Sequence, residues 1–428
     1  MSQTKNKFLA LLIILFLFMA FSCNKNKKDP GAGLDTAPER TLLNILAGQS
    51  TSDPGIEEII SAAVKEKIPE DELFWERMDW GDQFNAQMRI RFAAGEIPDI
   101  MIGKAQDIAN YAPSGYIAEI SPALAKYIRP DITPSVSHSG KIYGIPLNSF
   151  YQGVLYNKDI FERYGLRPPQ TLDDLTAIIE TLSSAGIIPF ATHFEEPWNT
   201  ANVVMQLLLG EIFSEQSSWG DSFRKGETSF SDSAAILNCF LELRKIIQNS
   251  WDDAISVNLF ESDQRFAESE AAMYVSGTWS LQNIEALNPR IKLGIFPYPN
   301  SKGKSRLIIE PNLTFMKSSV SPYSEKIDEV LKVILEDEDL LIRIANYTKT
   351  SLTIKNLDPC YPMLIQDDIL RYEQSNMIID ATLGNSQLVW SFQEKLAEKI
   401  LEWMKNLISL DDVLAYADKM RTISSPSE

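Results

Sequence analysis

The sequence predicts an α/β protein built on doubly wound parallel sheet. Three observations carry that expectation. Between Thr41 and Gly103 the chain reads strand, helix, strand, helix, strand. The third of these strands, Ile100 to Ile102, is continuously apolar, as a central parallel strand covered on both faces should be. Further along, residues 168 to 191 again read as a capped helix followed by a short apolar strand. Alternating units of this kind bury their faces best around a parallel sheet.

Each element has a local reason. Thr41 to Ala47 is the first strand, and Gly48 to Thr51 is a polar loop after it. Asp53-Pro54 starts a helix, a cap followed by proline at the first position. Ile56, Ile59, Ile60, Ala63, Val64 and Ile68 recur at helical spacing, and Pro69 stops them. Leu73 to Met78 is the second strand. Trp80 to Ala94 carries a helical stripe of Phe84, Met88, Ile90 and Ala93. Gly95 supplies a left-handed cap and Pro98 blocks further helix. The stretch Gly140 to Pro168 reads as a short strand, a crossover, a second strand, a helix start and a Pro-Pro stop. Thr171 and Asp174 form a capping box, and Gly186 closes that helix before the strand Pro189 to Ala191. His193 to Thr200 is a polar, aromatic loop. Residues 201 to 213 are an apolar helix, Trp219 to Phe230 a loop region, and Asp232 to Ile247 a helix. Arg306 to Phe315 is a return crossover, Tyr323 to Asn346 a helix pair, and Gln366 to Met420 is helical.

Size and charge narrow the function. The 428 residues are too many for one core, and 44% hydrophobic content is ample for two or three. The net charge of -18, without a basic stripe, argues against nucleic acid and bare anionic membrane. Lys5 and Lys7 precede the apolar run Phe8 to Phe21, which has the length of a signal segment rather than of a membrane span. Cys23 follows directly and is placed as in a lipoprotein cleavage site. Ala20 and Phe21 depart from the usual Leu and small residue before the Cys, so a simple secretory signal is the alternative. Residues 24 to 40 read as a flexible tether. Cys239 lies in an apolar helical run and reads as a buried small hydrophobe, with a bridge to Cys360 left open.

Four motifs then agree with one family. They are Gly140-Lys141 with Tyr143 to Pro146 and Leu155 to Phe161; Gly95 with Pro98-Asp99; the start at Thr171 with the Gly186-Ile187 end before Pro189; and Phe266, Ala271 to Tyr274, Gly277 and Trp279. In their order along the chain they resemble family 1 extracellular solute-binding proteins, the maltose-binding-protein-like, sugar-capturing subunits of ABC importers. The resemblance runs from 41 to about 410.

The resemblance implies a two-lobed periplasmic-binding-protein fold, its doubly wound sheets joined by crossover hinge strands. Residues 1-22 would be the signal peptide, and 23-40 the lipidated Cys23 and tether. Lobe one would hold 41-148 plus 313-357, and lobe two 149-312 plus 358-428. Ligand would sit between the lobes, where concave small-molecule sites are favoured. Trp279 is the first candidate, as a platform for a sugar face or else a core residue. Trp198 is the second, with the same alternative. Glu195 and Glu196 would accept sugar hydroxyls or form a solvated acidic pair. Phe150, Tyr151 and Gln152 would line the cleft floor, Gln49 and Gln106 would follow strands one and three, and Asn312 would lie at the return crossover. His193 reads as a satisfied polar residue rather than a catalyst.

Enzymatic readings are weak. The sequence has no G-x-S-x-G, Gly-rich dinucleotide loop, P-loop or H-E-x-x-H, and only two histidines. No cofactor or metal is expected. The implied partners are a mono- or oligosaccharide and the membrane subunits of an ABC permease, with a monomeric protein anchored outside the cytoplasm by lipid. The rivals are a same-fold binder of another solute, a sensor subunit for a receptor, and a polysaccharide-processing enzyme.

Overall fold

A computed structural model describes residues 41–48, 54–78, 82–383, 388 and 390–422. The signal segment, Cys23, the tether and Gln49 lie outside the described residues. Among the described residues twelve strands run in chain order. They are β1 Thr41–Gly48, β2 Asp71–Met78, β3 Ile100–Gly103, β4 Ser137–His138, β5 Lys141–Ile142, β6 Ile145–Asn157, β7 Ile188–Ala191, β8 Ala271–Gly277, β9 Leu293–Phe296, β10 Leu307–Lys317, β11 Ser351–Leu352 and β12 Ile378–Asp380.

The first half is the parallel set β2-β1-β3, in which Ile45 pairs with both Trp75 and Ile100. The second half contains β6, β8 and β7, with β7 and β8 parallel and β9 antiparallel to β6. Two long strands run through both halves. The end of β10 pairs with β3 through Thr314–Gly103, while its start pairs with β12 through Leu307–Ile378. The start of β6 pairs with β10 through Ile145–Phe315, while its end pairs with β8 and β9. The fold is thus two α/β lobes joined by the antiparallel crossover strands β6 and β10.

Local signals hold where they are strong. The first helix is Pro54–Lys67, and its buried Ile56, Ile60, Ala63 and Val64 form the expected stripe. Gly95 takes the left-handed conformation at φ +76°, ending the helix Asp82–Ala94. Asp99 then ties β1 to this turn: its Oδ2 accepts the Asn44 N–H at 2.8 Å and its Oδ1 the Ser321 hydroxyl at 2.6 Å. Thr171 and Asp174 cap each other's backbone at the start of Leu172–Ser184.

Three expectations need correction. The crossover and second strand expected after Tyr143 are one 13-residue strand, β6, buried along almost its whole length. Its neighbours change from lobe to lobe, so nothing interrupts it. The region Trp219 to Phe230 is not a loop. Trp219–Lys225 is a helix, closed by Gly226 at φ +76°, because Trp219, Phe223 and Phe230 pack into a buried aromatic cluster. The helix expected from 201 starts earlier, as Pro197–Leu208, with Pro197 at its first position and Trp198 in its first turn. It continues into a wider π turn, Leu209–Phe213. Cys239 and Cys360 are both free thiols, and Cys239 is buried as expected.

Candidate ligand-binding site

The site forms where the crossover strands meet lobe two. On β6 and β10, Phe150 lies directly opposite Glu310, and Gln152 opposite Ile308. Paired residues share a face, and so do residues two apart on one strand. One face of the crossover therefore presents Phe150, Gln152 and Glu310 together.

Strand β8 brings the next group. Gln152 pairs with Gly277, and the Thr278 hydroxyl accepts the Tyr151 N–H at 3.1 Å. This fixes the short turn Thr278–Ser280, which carries Trp279. The Phe150 ring meets Trp279 edge-on at 5.6 Å, and Trp198 meets Trp279 at 6.3 Å. All three rings are only half-buried. The indole Nε1 of Trp279 is buried and has no hydrogen-bond partner. A native indole N–H is rarely left so, and a ligand acceptor would complete it.

Beside the rings runs a polar row. Gln152 Nε2 donates to Glu310 Oε2, and Asn202 Nδ2 donates to Gln152 Oε1 at 3.4 Å. Lys104 Nζ lies 3.8 Å from Glu310 Oε1. Lys104 follows β3 in lobe one, whereas Asn202 is on the helix Pro197–Leu208 in lobe two. The row thus spans the crossover.

Behind Trp198 lies His193, its ring 5.1 Å away and fully buried. Its Nδ1 is 3.3 Å from Glu196 Oε2. Burial pushes the imidazole pKa below its ordinary value, against the pull of Glu196. Burial also disfavours the Glu196 carboxylate, but its contacts with His193 and the Leu259 N–H outweigh this and hold its pKa below the usual range. Glu196 thus links the His193 ring to the Leu259 N–H at the start of the helix Leu259–Ala267.

A cavity of about 160 Å³ lies between residues 105–137 and residues 382–393. Ala105, Gln106, Ile108 and Ser135 line it from one part of the chain, and Thr382, Leu388 and Gln393 from another. Gln106 Oε1 is buried there without a partner. Two buried carboxyls sit close by. Burial raises Asp107 to about 6 and Asp380 to about 6, and the charge of Glu310 adds to both.

Of the residues expected from sequence, Phe150, Trp198 and Trp279 come together, and Gln152 joins them. Gln106 lines the neighbouring cavity. Asn312 is buried on β10, two residues from Glu310. Glu196 stands behind the rings, and Glu195 is exposed. Tyr151 is fully buried on the opposite face of β6 and gives its hydroxyl to Glu373 at 2.7 Å, so it serves the core. Gln49 lies outside the described residues. Lys104, Asn202 and Glu310 were not expected. The one available signal was Glu310 itself, the single charge in the mostly apolar run LIIEPNLTF.

The sequence pattern of the family described as bacterial extracellular solute-binding protein matches residues 47–339, more than half of the chain. The chain belongs to that family. Among curated relatives, it is 25% identical over 225 residues to the multiple sugar-binding protein of Streptococcus mutans, covering 50% of this chain and 53% of that one. It is 23% identical over 232 residues to the melibiose/raffinose/stachyose-binding protein MelE of Bacillus subtilis, covering 51% and 52%. The chain therefore matches about half the length of these relatives. Among solved structures, it superposes on a Bacillus licheniformis sugar transporter in complex with stachyose with a TM-score of 0.73, at 16% identity, over 90% of this chain and 100% of that one. A binding protein from Bacillus subtilis in an open conformation gives 0.76 at 17% identity, over 90% and 97%. These likenesses establish the two-lobed fold. The family and the relatives named here are binding proteins, in agreement with a chain that is not an enzyme.

Proposed function

We propose that this protein captures a mono- or oligosaccharide between its lobes, outside the cytoplasm, and delivers it to the membrane subunits of an ABC permease. The observation that carries the reading is the half-exposed trio Phe150, Trp198 and Trp279 beside the row Gln152, Asn202, Glu310 and Lys104. A sugar offers C–H faces to stack on rings and hydroxyls that both donate and accept. Trp279 brings a free N–H to the same place. Relatives named for sugars, and a neighbour holding stachyose, support the same substrate class.

Lobe one in this reading holds 41-148 plus 313-357, and lobe two 149-312 plus 358-428. Closure bends β6 and β10 and is stabilised only by contacts that ligand makes with both lobes. Phe150, Trp198, Trp279 and Asn312 contact ligand directly, and Gln49 and Gln106 contact it from lobe one. Cys23 is lipidated and holds a monomeric binder at the membrane.

A thermal-shift screen against mono- and oligosaccharides, with amino acids and short peptides as controls, tests this. A ligand that binds only the folded chain raises its melting temperature. A shift with one sugar class, lost in Trp279→Ala, supports the reading. Shifts with peptides or amino acids alone would sink the carbohydrate assignment.

A further inference from the structure

A second cavity, of about 220 Å³, lies in lobe two between the helices Pro197–Leu208 and Ala234–Gln248 and the segment 298–301. None of the three rings of the candidate sugar site lines it. It exceeds the roughly 150 Å³ that suffices for benzene-sized guests. The cavity follows from the backbone. The π turn Leu209–Phe213 widens the end of the first helix, and Gly210 in that turn has no side chain to fill the space. A β-carbon built on Gly210 would meet nothing within 4 Å.

Its walls are rich in acceptors. Gln206 is 3% exposed, and its amide orientation is set by chemistry. Nε2 donates to Asn202 Oδ1 at 2.8 Å and to the Ser276 carbonyl at 3.3 Å, and a carbonyl can only accept. The amide oxygen is therefore turned away from both, and it is buried without a partner. Such an atom is costly unless something donates to it. Two carboxylates line the same cavity. Glu242 accepts the Tyr298 hydroxyl at 3.0 Å and Lys245 Nζ at 2.7 Å. Glu211 accepts the Ser301 N–H at 2.9 Å and has no ion pair among the described residues. Glu242 is thus paired with Lys245, whereas Glu211 has no cationic partner among the described residues. Burial, with the field of Glu211 and Glu242 added, pushes the Cys239 thiol well above its ordinary pKa. Leu172, Leu207 and the half-exposed Leu241 at the rim give the wall its apolar part, beside the amides Asn238 and Asn300.

We propose that this cavity binds a small primary ammonium compound, its cationic head on Gln206 Oε1 and Glu242 and its short aliphatic body against Leu207 and Leu241. An ammonium supplies three donors and no acceptor, the complement of these walls. This site does not depend on the sugar assignment.

Calorimetric titration of the purified protein with n-butylammonium chloride, against 1-butanol and sodium chloride at matched ionic strength, tests it. The ammonium should bind at one site and the alcohol at least tenfold more weakly. Glu242→Gln keeps an acceptor for Tyr298 and removes the charge, so it should weaken ammonium binding at least tenfold. Gly210→Leu fills the cavity and should abolish binding, with circular dichroism melting confirming that each variant folds. No heat with the ammonium, equal binding of the alcohol, or ammonium binding unchanged in both folded variants would each overturn the proposal.

Discussion

Gly277 and Trp279 are built against each other. A β-carbon on Gly277 would lie 2.2 Å from Cζ3 of the Trp279 ring, with two further ring atoms at 2.5 Å. No real side chain tolerates such a contact, so the ring folds back over β8 only because residue 277 is glycine. Gly277→Ala should displace Trp279 while leaving the strand intact. The expected result is a loss of sugar affinity of about tenfold or more, roughly 1.4 kcal/mol, with little change in melting temperature. Unchanged affinity by calorimetry would show that the position of this ring does not matter to binding.

Gln152 and Glu310 join the two crossover strands on the face that carries Phe150. Charge-assisted hydrogen bonds of this kind contribute about 1.5–3 kcal/mol. Glu310→Gln keeps the shape and removes the charge that faces Lys104. It should weaken sugar binding at least tenfold, whereas Lys245→Gln, on the far helix, should leave sugar affinity unchanged. Equal effects from the two would mean that Glu310 acts only through overall stability.

Three buried aspartates set a pH dependence of stability. Burial raises Asp263 to about 7, and Asp107 and Asp380 to about 6. Each binds its proton in the folded chain at pH values where the unfolded carboxyl has already lost it. Stability therefore falls as pH rises from about 4 through about 7. Buried His193 acts in the opposite sense, because its lowered pKa makes charging costly as pH falls below its ordinary value. Asp263 Oδ2 accepts from Asn283 Nδ2 at 3.1 Å and Oδ1 from the Tyr274 hydroxyl at 3.2 Å; an asparagine keeps an acceptor for Asn283, and its amide N–H can donate to the rotatable Tyr274 hydroxyl. Asp263→Asn should thus flatten the decline between pH 5 and pH 8. Parallel melting-temperature curves for variant and parent would refute the assignment.

Legibility followed the range of each interaction. The caps at Gly95 and at Thr171 with Asp174 lie within a few residues of what they cap, and the sequence showed them. Pro197 also signals a helix start locally, yet the polar run HFEEPWNT reads as loop because Trp198 is only partly buried, against Ala201 and, far along the chain, Ala397. Trp279 stands out in the sequence through its motif. The row beside it does not, because Gln152 and Glu310 are 158 residues apart and meet only through the pairing of β6 with β10. Tyr151 shows the converse error. It adjoins Phe150 in sequence, but the alternation of a strand sends it to the opposite face.

The helix Trp219–Lys225 should stand or fall with its aromatic cluster. Trp219 stacks on Phe223 at 5.2 Å and meets Phe213 at 5.3 Å and Phe230 at 5.4 Å. Its seven residues are too few to hold a helix by propensity alone. Phe230 is also tied to the C-terminal helix Leu410–Lys419, since Asp418 Oδ1 accepts its N–H at 2.8 Å. Trp219→Ala empties the centre of this packing and should cost about 3–5 kcal/mol in urea denaturation. Trp219→Phe keeps a ring there and should recover more than half of that. The site rings are on other elements, so sugar affinity of the folded Trp219→Ala protein should stay within about threefold of the parent, roughly 0.6 kcal/mol. A cost below about 1 kcal/mol, in the range of ordinary surface changes, would show that the cluster does not hold this helix.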